Sequence, residues 1–435
     1  MNPHGRTAVL LALLLVIGGA LYLAAGLADA YLAADDFQWL ATGQAFTWPS
    51  LLHISGDRFY RPVVNLWFAG AFAACGPSTS CYHALNLTLH LITVSLVFVL
   101  ALGLFRDSRM AFWGALFFAV EPAYTQAIIW VSGVTTLLAT CLYVASLVAQ
   151  SASWRAGTQG RRLGAEVAAI LTAAGALFSH EAAITLPVVS WIMWRQFGPE
   201  ALTKRRMLTL GLVLAACGFG VLTVLANYRN PVFSESHYAI GVHIVRHALD
   251  YIVAMYVGPS GPEAWVACCV AIAILLTAAP ATRFGVLWLL ITVVPYSAFT
   301  WGNVSRYHYL PSIGFAFAVA AALCMAGDRL SRRGERARRA AQVVVLLVAA
   351  FVAVRFVKFH YPAARSYVQS MEPWRAYAEK LVVEVPEDSV DRVVHIGPSL
   401  ESDFIDPIYL EPMLRWLRQD YSLQVVVDRP WTTGR

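Results

Sequence analysis

The sequence predicts an α-helical polytopic membrane protein, on three observations. Of its 435 residues 58% are hydrophobic and 13% charged, against roughly half apolar and a quarter charged in ordinary soluble domains. Apolar runs recur from Leu10 to Val357, and at about 20 residues per span they would occupy about half the chain. Short Lys/Arg clusters separate those runs, so the net charge of +6 reads as topology. The same composition excludes a plain soluble enzyme. With no basic, aromatic-studded domain it also gives nucleic-acid binding no support.

The first span, 7 to 28, follows Arg6. Ala28-Asp29-Ala30 resembles a cleavage site, but a run of about 22 residues exceeds the roughly 7 to 15 of a signal-peptide core, so it reads as an uncleaved span. Further spans are predicted at 82–105, 110–131, 132–150, 163–178, 182–197, 207–226, 264–280, 284–300, 308–326 and 340–357, about eleven in all. The connections carrying Arg106 and Arg109, Arg155 to Arg162, Lys204 to Arg206, Arg283, and Arg329 to Arg339 are then cytoplasmic, as is the N-terminus. The apolar helices at 62–75 and 243–258 break this parity as full spans and are read as half-inserted on the outer side. Glu121-Pro122 predicts that the 110–131 span kinks or ends early.

Two parts follow: a transmembrane domain over 1–357, with its first outer loop at 29–81, and a small extracytoplasmic α/β unit over 358–435. In the latter, Arg392 to Ile396 and Leu423 to Val427 read as strands and Tyr409 to Asp420 as an amphipathic helix. Seven cysteines are too few for a disulfide scaffold. Cys75 and Cys81 alone flank an outer, oxidising loop, where a short disulfide is expected.

On this topology the unusual polar residues gather on the outer face. They are Asp35 and Asp36; Arg61; His83, Asn86 and His90 on one helix face; Glu121 and Gln126; His180 and Glu181; and Arg306, Tyr307 and Tyr309. Each has a plain structural role when taken singly. An Asp pair caps a helix, an arginine snorkels at a span end, His and Asn bond between helices, and a first-turn Glu answers the helix dipole. Their convergence on one face of a membrane protein argues for a site. His83, Asn86 and His90 lack a close carboxylate or thiolate, so no metal site is expected.

In chain order these residues form a pattern. It runs Asp35-Asp36, Tyr60-Arg61-Pro62, the His83/Asn86/His90 face, a turn with Pro122, Trp130, Ser132 and Gly133, Ser179 to Pro187, and Arg306-Tyr307-His308-Tyr309-Leu310-Pro311 onward to Phe315. It resembles the GT-C superfamily of polyprenyl-phosphate-sugar-dependent glycosyltransferases, and most closely the O-mannosyltransferase-like branch of TMTC type and its bacterial relatives. Where that branch has His-Pro-x-His-x-Glu this chain reads Glu121-Pro122-Ala123-Tyr124-Thr125-Gln126, and where it has Lys-Glu this chain has His180-Glu181.

The resemblance implies a GT-C fold in a bacterial inner membrane. It implies an inverting transfer of sugar from a polyprenyl-phosphate donor to a protein or cell-envelope glycan on the periplasmic face. A carboxylate must then take a proton from the acceptor hydroxyl, and Asp36 is placed first for this with Asp35 beside it. Arg306, with Arg61 as a second cation, suits the donor phosphate. Glu121, Gln126, His180, Glu181, His83, Asn86, His90, Tyr307 and Tyr309 bind sugar or acceptor, or position the loops. No cofactor is expected: some GT-C enzymes use a divalent metal with an acidic motif, but the outer loop carries no Asp-x-Asp. Two other readings share the spans: a non-catalytic subunit that binds a lipid-linked sugar, and a lipid-linked glycan flippase.

Overall fold

The computed structural model describes residues 3–52, 59–199, 211, 215–216, 218–220, 237–256, 260–332, 334–385, 393–396, 400, 402, 405–420 and 422–427. The predicted 207–226 span, the basic Lys204 to Arg206 connection and the end of the 243–258 helix fall largely or wholly outside these residues. The helices of the bundle come first: α1 (Pro3–Ala24), α2 (Asp35–Gln44) and α3 (Pro62–Cys75), then α4 (Thr79–Phe105), α5 (Ser108–Ala119), the short α6 (Thr125–Ile129), α7 (Val134–Arg155), α8 (Gln159–Leu177) and α9 (Leu186–Phe197). They continue with α10 (His243–Met255), α11 (Pro262–Leu276), α12 (Pro280–Ser297), α13 (Tyr309–Ser331) and α14 (Glu335–Gln369).

Local chemistry sets many of these boundaries. Pro62, Pro262 and Pro280 open α3, α11 and α12, where a missing N–H costs nothing. Asp107 caps α5 by accepting from Arg109 N at 2.8 Å. The predicted 110–131 span is not one helix. It stops at Ala119, and Glu121-Pro122 starts a buried turn that leads into α6, because proline cannot donate into a continuing helix. The 340–357 span likewise continues past the expected boundary at 358 as far as Gln369.

Among the described residues five stretches are long and apolar enough to cross a bilayer: Gly5–Ala24, Thr79–Phe105, Val131–Arg155, Ser305–Ser331 and Arg338–Glu384. The other predicted spans that fall within the described residues are shorter or more polar helices, and polar turns such as Ser179-His180-Glu181 bound them. The bundle faces its apolar side chains outward as well as inward. Val16, Leu171, Val266, Phe351 and Val354 are each about two-thirds exposed, which is the surface of a protein whose solvent is hydrocarbon.

At the centre α4 packs on α5 and α7, α7 on α8, and α13 on α5, α12 and α14. The α12–α13 contact is backbone on backbone. A Cβ on Gly314 would stand 2.5 Å from Leu289 N and 2.6 Å from Gly285 O, and one on Gly285 would stand 2.5 Å from Ala318 N. Small residues allow such approach in membranes. At the end of the bundle opposite Tyr309, Arg109 pairs with Asp107 and Asp328, and Arg155 donates to Gly103 O.

Beyond α14 lie α15 (Glu372–Glu384), strands β1 (Val393–Ile396) and β2 (Gln424–Val427), which pair in parallel, and α16 (Leu410–Arg418). This segment docks on the shelf formed by α2, α3 and the start of α4. Trp416 meets Phe72 and Tyr82 edge-on, Trp374 packs near Phe37, and Arg375 bonds Asp29 O. Under the shelf Cys75 and Cys81 are joined, with Cα atoms 5.6 Å apart.

Gly314→Leu should force α12 and α13 apart and cost about 3 kcal/mol or more, read as a lower thermal midpoint in detergent. Gly70→Ala, where a Cβ meets nothing within 4 Å, should change stability by about 1 kcal/mol or less. Equal midpoints for the two variants would refute the close-packed seam.

Candidate active site

A cavity of about 270 Å³ opens where the first outer loop, the α6–α7 turn and the start of α13 meet. Its lining includes Asp35, Trp39, Arg61, Trp130, Ser132, His180, Trp301, Arg306 and Tyr409. Its floor is built by two turns locked to each other. Ala34 has a positive φ of 51°, which an L-residue rarely adopts, and hydrogen bonds on either side hold it there. Asp36 Oδ2 accepts from Ala33 N at 2.9 Å, and Trp130 Nε1 donates to Ala33 O at 3.0 Å. Across the seam Asp36 Oδ1 accepts from Ser132 N at 2.7 Å and from Ser132 Oγ at 2.5 Å. The Asn86 amide donates to Trp130 O at 2.9 Å and to the carbonyls of Ile128 and Val131. Gly133 follows, where any Cβ would overlap Ala127 O.

This arrangement separates the two carboxylates. Asp36 is fully buried with both oxygens taken, and burial, against its hydrogen bonds, lifts its pKa from 3.8 to about 7. Asp35 is half-buried and faces the cavity. Its Oδ1 accepts from the Tyr409 hydroxyl at 2.9 Å, and its Oδ2 has no hydrogen-bond partner among the described residues. The sequence reading puts Asp36 at the chemistry with Asp35 beside it; of the two, Asp35 is the one that lines the cavity.

Two arginines face the cavity in different electrical states. Arg61 forms a fork with Glu181, Nε to Oε1 at 3.1 Å and Nη2 to Oε2 at 2.8 Å. Burial pushes the Glu181 carboxyl up, but Arg61 and its hydrogen bonds outweigh that and hold it at about 2. His180 caps the following turn by accepting from Ala182 N at its Nδ1. Burial, then the Arg61 charge, depress its pKa to about 3 and leave the ring neutral. Arg306 lies over the faces of Trp130 and Tyr307, 4.9 and 4.7 Å from their centroids. Among the described residues no carboxylate pairs with it. Stacking orients a guanidinium without neutralising it.

The other predicted residues sit behind this surface. Gln126 Oε1 accepts from Arg306 N and its amide donates to Tyr367, which fixes the Arg306 turn. Glu121 is buried and caps Ala123 N. His90 is buried against Tyr309 at 3.0 Å, near Tyr22 and Tyr124, and His83 is buried beside the backbone of Ala30, Tyr31 and Ile129. Asn86 ties the α6–α7 turn. None of Glu121, Gln126, His83, Asn86, His90 or Tyr309 lines the cavity. Among the described residues no three His, Cys, Asp or Glu side chains stand together as a metal site. Sequence reasoning missed Gln38, Trp39, Phe299, Trp301 and Tyr409 as lining residues. The first four carried no signal beyond nearness to the motifs, and Tyr409 lies 374 residues from Asp35.

A second, apolar cavity of about 600 Å³ shares Phe59, His180 and Phe299 with the first. It continues past Ile184, Val188 and Val294, side chains that are 40 to 53% exposed on the hydrocarbon-facing surface. A polar cavity and a lipid-side groove thus meet at His180.

Fold and site together define a membrane-embedded helical protein with a polar cavity at one end of its bundle. The chain has the fold of ArnT from Cupriavidus metallidurans. It matches the undecaprenyl-phosphate-bound structure at a TM-score of 0.56 and 12% identity, over 99% of this chain and 87% of that one, and the apo structure at 0.57 and 14% identity, over 98% and 86%. In sequence it is similar to protein O-mannosyl-transferases of TMTC type. Identity is 28% over 125 residues to TMTC1 of Mus musculus and 33% over 139 residues to Tmtc1 of Drosophila melanogaster, matches covering 28% and 32% of this chain. The matched stretches span 13% and 16% of those relatives' lengths. No family model matches the chain.

Because folding lowers the Glu181 pKa from 4.5 to about 2, the Arg61 pair stabilises the fold fully above pH 4.5 and progressively less as pH falls toward 2. The thermal midpoint of the wild type should exceed that of Glu181→Gln by a constant margin above pH 4.5, and the margin should close below it. A margin that stays flat through that acid window would show that Glu181 is not held as the ionised partner.

Proposed function

We propose that the chain is an inverting glycosyltransferase that moves a sugar from a polyprenyl-phosphate-linked donor to a hydroxyl of a protein or cell-envelope glycan. The reading places it in a bacterial inner membrane with the site on the extracytoplasmic face. One observation carries it: Asp35, with an open carboxylate oxygen, and Arg306, with an unneutralised guanidinium, line one cavity that continues into an apolar groove. The curated relatives' names as O-mannosyl-transferases and the undecaprenyl phosphate held by the ArnT structure support it.

In this reading the polyprenyl chain lies along the Ile184–Val188–Val294 groove and its phosphate reaches Arg306, with Arg61 beside it. The acceptor oxygen attacks the anomeric carbon while the bond from that carbon to the phosphate oxygen breaks. The hydroxyl proton passes to Asp35 Oδ2, and the bond electrons leave with the polyprenyl phosphate, whose charge Arg306 meets. A single displacement inverts the anomeric centre. The reading assigns no metal a role, since the arginines answer the leaving phosphate. Asp36 is given the anchoring role, because a base must reach its proton and both Asp36 oxygens are occupied.

The polar groups gather at one end of the helices, beside the starts of α7 and α13. An alternating-access carrier generally places them near the midplane, so transfer is favoured over flipping. Purified protein offered radiolabelled polyprenyl-phosphate monosaccharides and a membrane extract should transfer label. Asp35→Asn should lower turnover by about a hundredfold or more while donor binding persists, and Arg306→Ala should lower kcat/KM by about a hundredfold. Full transfer by Asp35→Asn would remove the base assignment. A folded wild type that binds donor but transfers nothing would point instead to a binding subunit.

A further inference from the structure

The C-terminal segment reaches the cavity itself. Ile408 and Tyr409 line it, although Tyr409 stands 374 residues from Asp35 in the chain. The placement is held at several points. Asp406 caps the Pro407–Tyr409 turn by accepting from Ile408 N at 3.0 Å, the Trp374 ring lies edge-on to Tyr409 at 5.6 Å, and α16 follows at once and seats Trp416 against Phe72 and Tyr82. Burial, then the Asp35 charge, push the Tyr409 phenol above its ordinary range, so it stays a donor. Ile408 leaves an apolar side chain 48% exposed at the cavity.

We infer that the docked C-terminal segment is a working wall of the active site, and that Tyr409 is a positioning residue whose hydroxyl holds Asp35 Oδ1 so that Oδ2 is presented to the acceptor. A carboxylate rotates about its last bond with a broad preference, and one donated hydrogen bond from a packed tyrosine selects the orientation. The segment then bounds the acceptor side of the cavity, opposite Arg306, and its undocking opens that side. The catalytic consequence rests on the glycosyl-transfer reading; the coupling of Tyr409 to Asp35 does not.

The test uses full-length protein and two readouts. Asp35 is labelled with a water-soluble carbodiimide and an amine at a single pH and quantified by peptide mass mapping, a measurement that needs no substrate. Steady-state transfer is measured in parallel. The Tyr409 hydroxyl covers Asp35 Oδ1, so Tyr409→Phe, which leaves both carboxylate oxygens open to the reagent, should raise Asp35 labelling several-fold. It should lower kcat about tenfold, the scale of a hydrogen bond to a charged group, with the donor KM unchanged. Trp416→Ala, which loosens the docking, should raise labelling too and increase the acceptor KM. Unchanged labelling in Tyr409→Phe, or unchanged turnover in a background where the wild type is active, overturns the proposal. Raised labelling alongside a wild type that moves no sugar leaves the Tyr409–Asp35 coupling standing and removes the transfer reading instead.

Discussion

The cavity end of this molecule is organised around one buried carboxylate. Asp36 accepts from Ala33 N on its own loop and from both donors of Ser132 on the α6–α7 turn. A loop that passes over a membrane bundle has little apolar area with which to anchor itself, so its position must come from directed bonds. A buried carboxylate with unmet lone pairs would be costly, and three donors meet that demand only when the two turns are in register. Register in turn sets the strained Ala34, which turns the chain so that Asp35 points the other way, into the cavity. Trp130 closes the circuit by bonding Ala33 O with its indole N–H while offering its ring face to Arg306.

The arginines show how neighbours assign different work to one residue type. Arg61 is matched by Glu181 in a fork, and the depressed pKa of Glu181 keeps that pair intact at any physiological pH. Its charge is thereby largely answered, and it serves to tie the first outer loop to the turn between α8 and α9. Arg306 rests on aromatic faces, which attract a cation through their quadrupole but neutralise none of its charge. His180 beside them is neutral. Among the described residues the cavity thus holds one unanswered positive charge and one carboxylate with an open oxygen, a balance suited to a ligand that is anionic at one end and carries a hydroxyl at the other.

Much of this was legible in the sequence, for identifiable reasons. Hydropathy exposes the long helices, because lipid leaves the backbone no partner but itself. Glu121-Pro122 marked the break in the 110–131 run, and α3 begins at the proline that predicted it. Spans such as α5 and α9 were harder to bound, since polar turns at their outer ends are buried against protein and read locally like membrane sequence. At the candidate site, residue types pointed to the end of the bundle where the cavity lies but not to which side chains line it. Asp35 and Asp36 are adjacent and chemically identical, and only the partners of each, on Ser132 and Tyr409, distinguish anchor from open carboxylate. His83, Asn86 and His90 share a helix face as their spacing implied, yet that face turns into the bundle, and periodicity does not reveal which neighbour a face meets.

The reach of the C-terminal segment lay beyond sequence reasoning for a different reason. Nothing near Tyr409 resembles an active-site motif, and its contact with Asp35 joins the two ends of the chain. Loop closure over such a separation is entropically unfavourable, though only slowly more so with length. The contact therefore requires a docking surface that holds without it. The bundle supplies one: α2 packs on α3 and on α16, the joined Cys75 and Cys81 close the turn into α4, and the aromatic rings of Phe72 and Tyr82 receive Trp416. With α16 seated there, the turn just before it has little freedom, and Tyr409 is delivered to the one carboxylate that the Asp36 anchor has turned outward. The two ends of the chain thus build the site jointly, one by burying an acid and the other by meeting its neighbour.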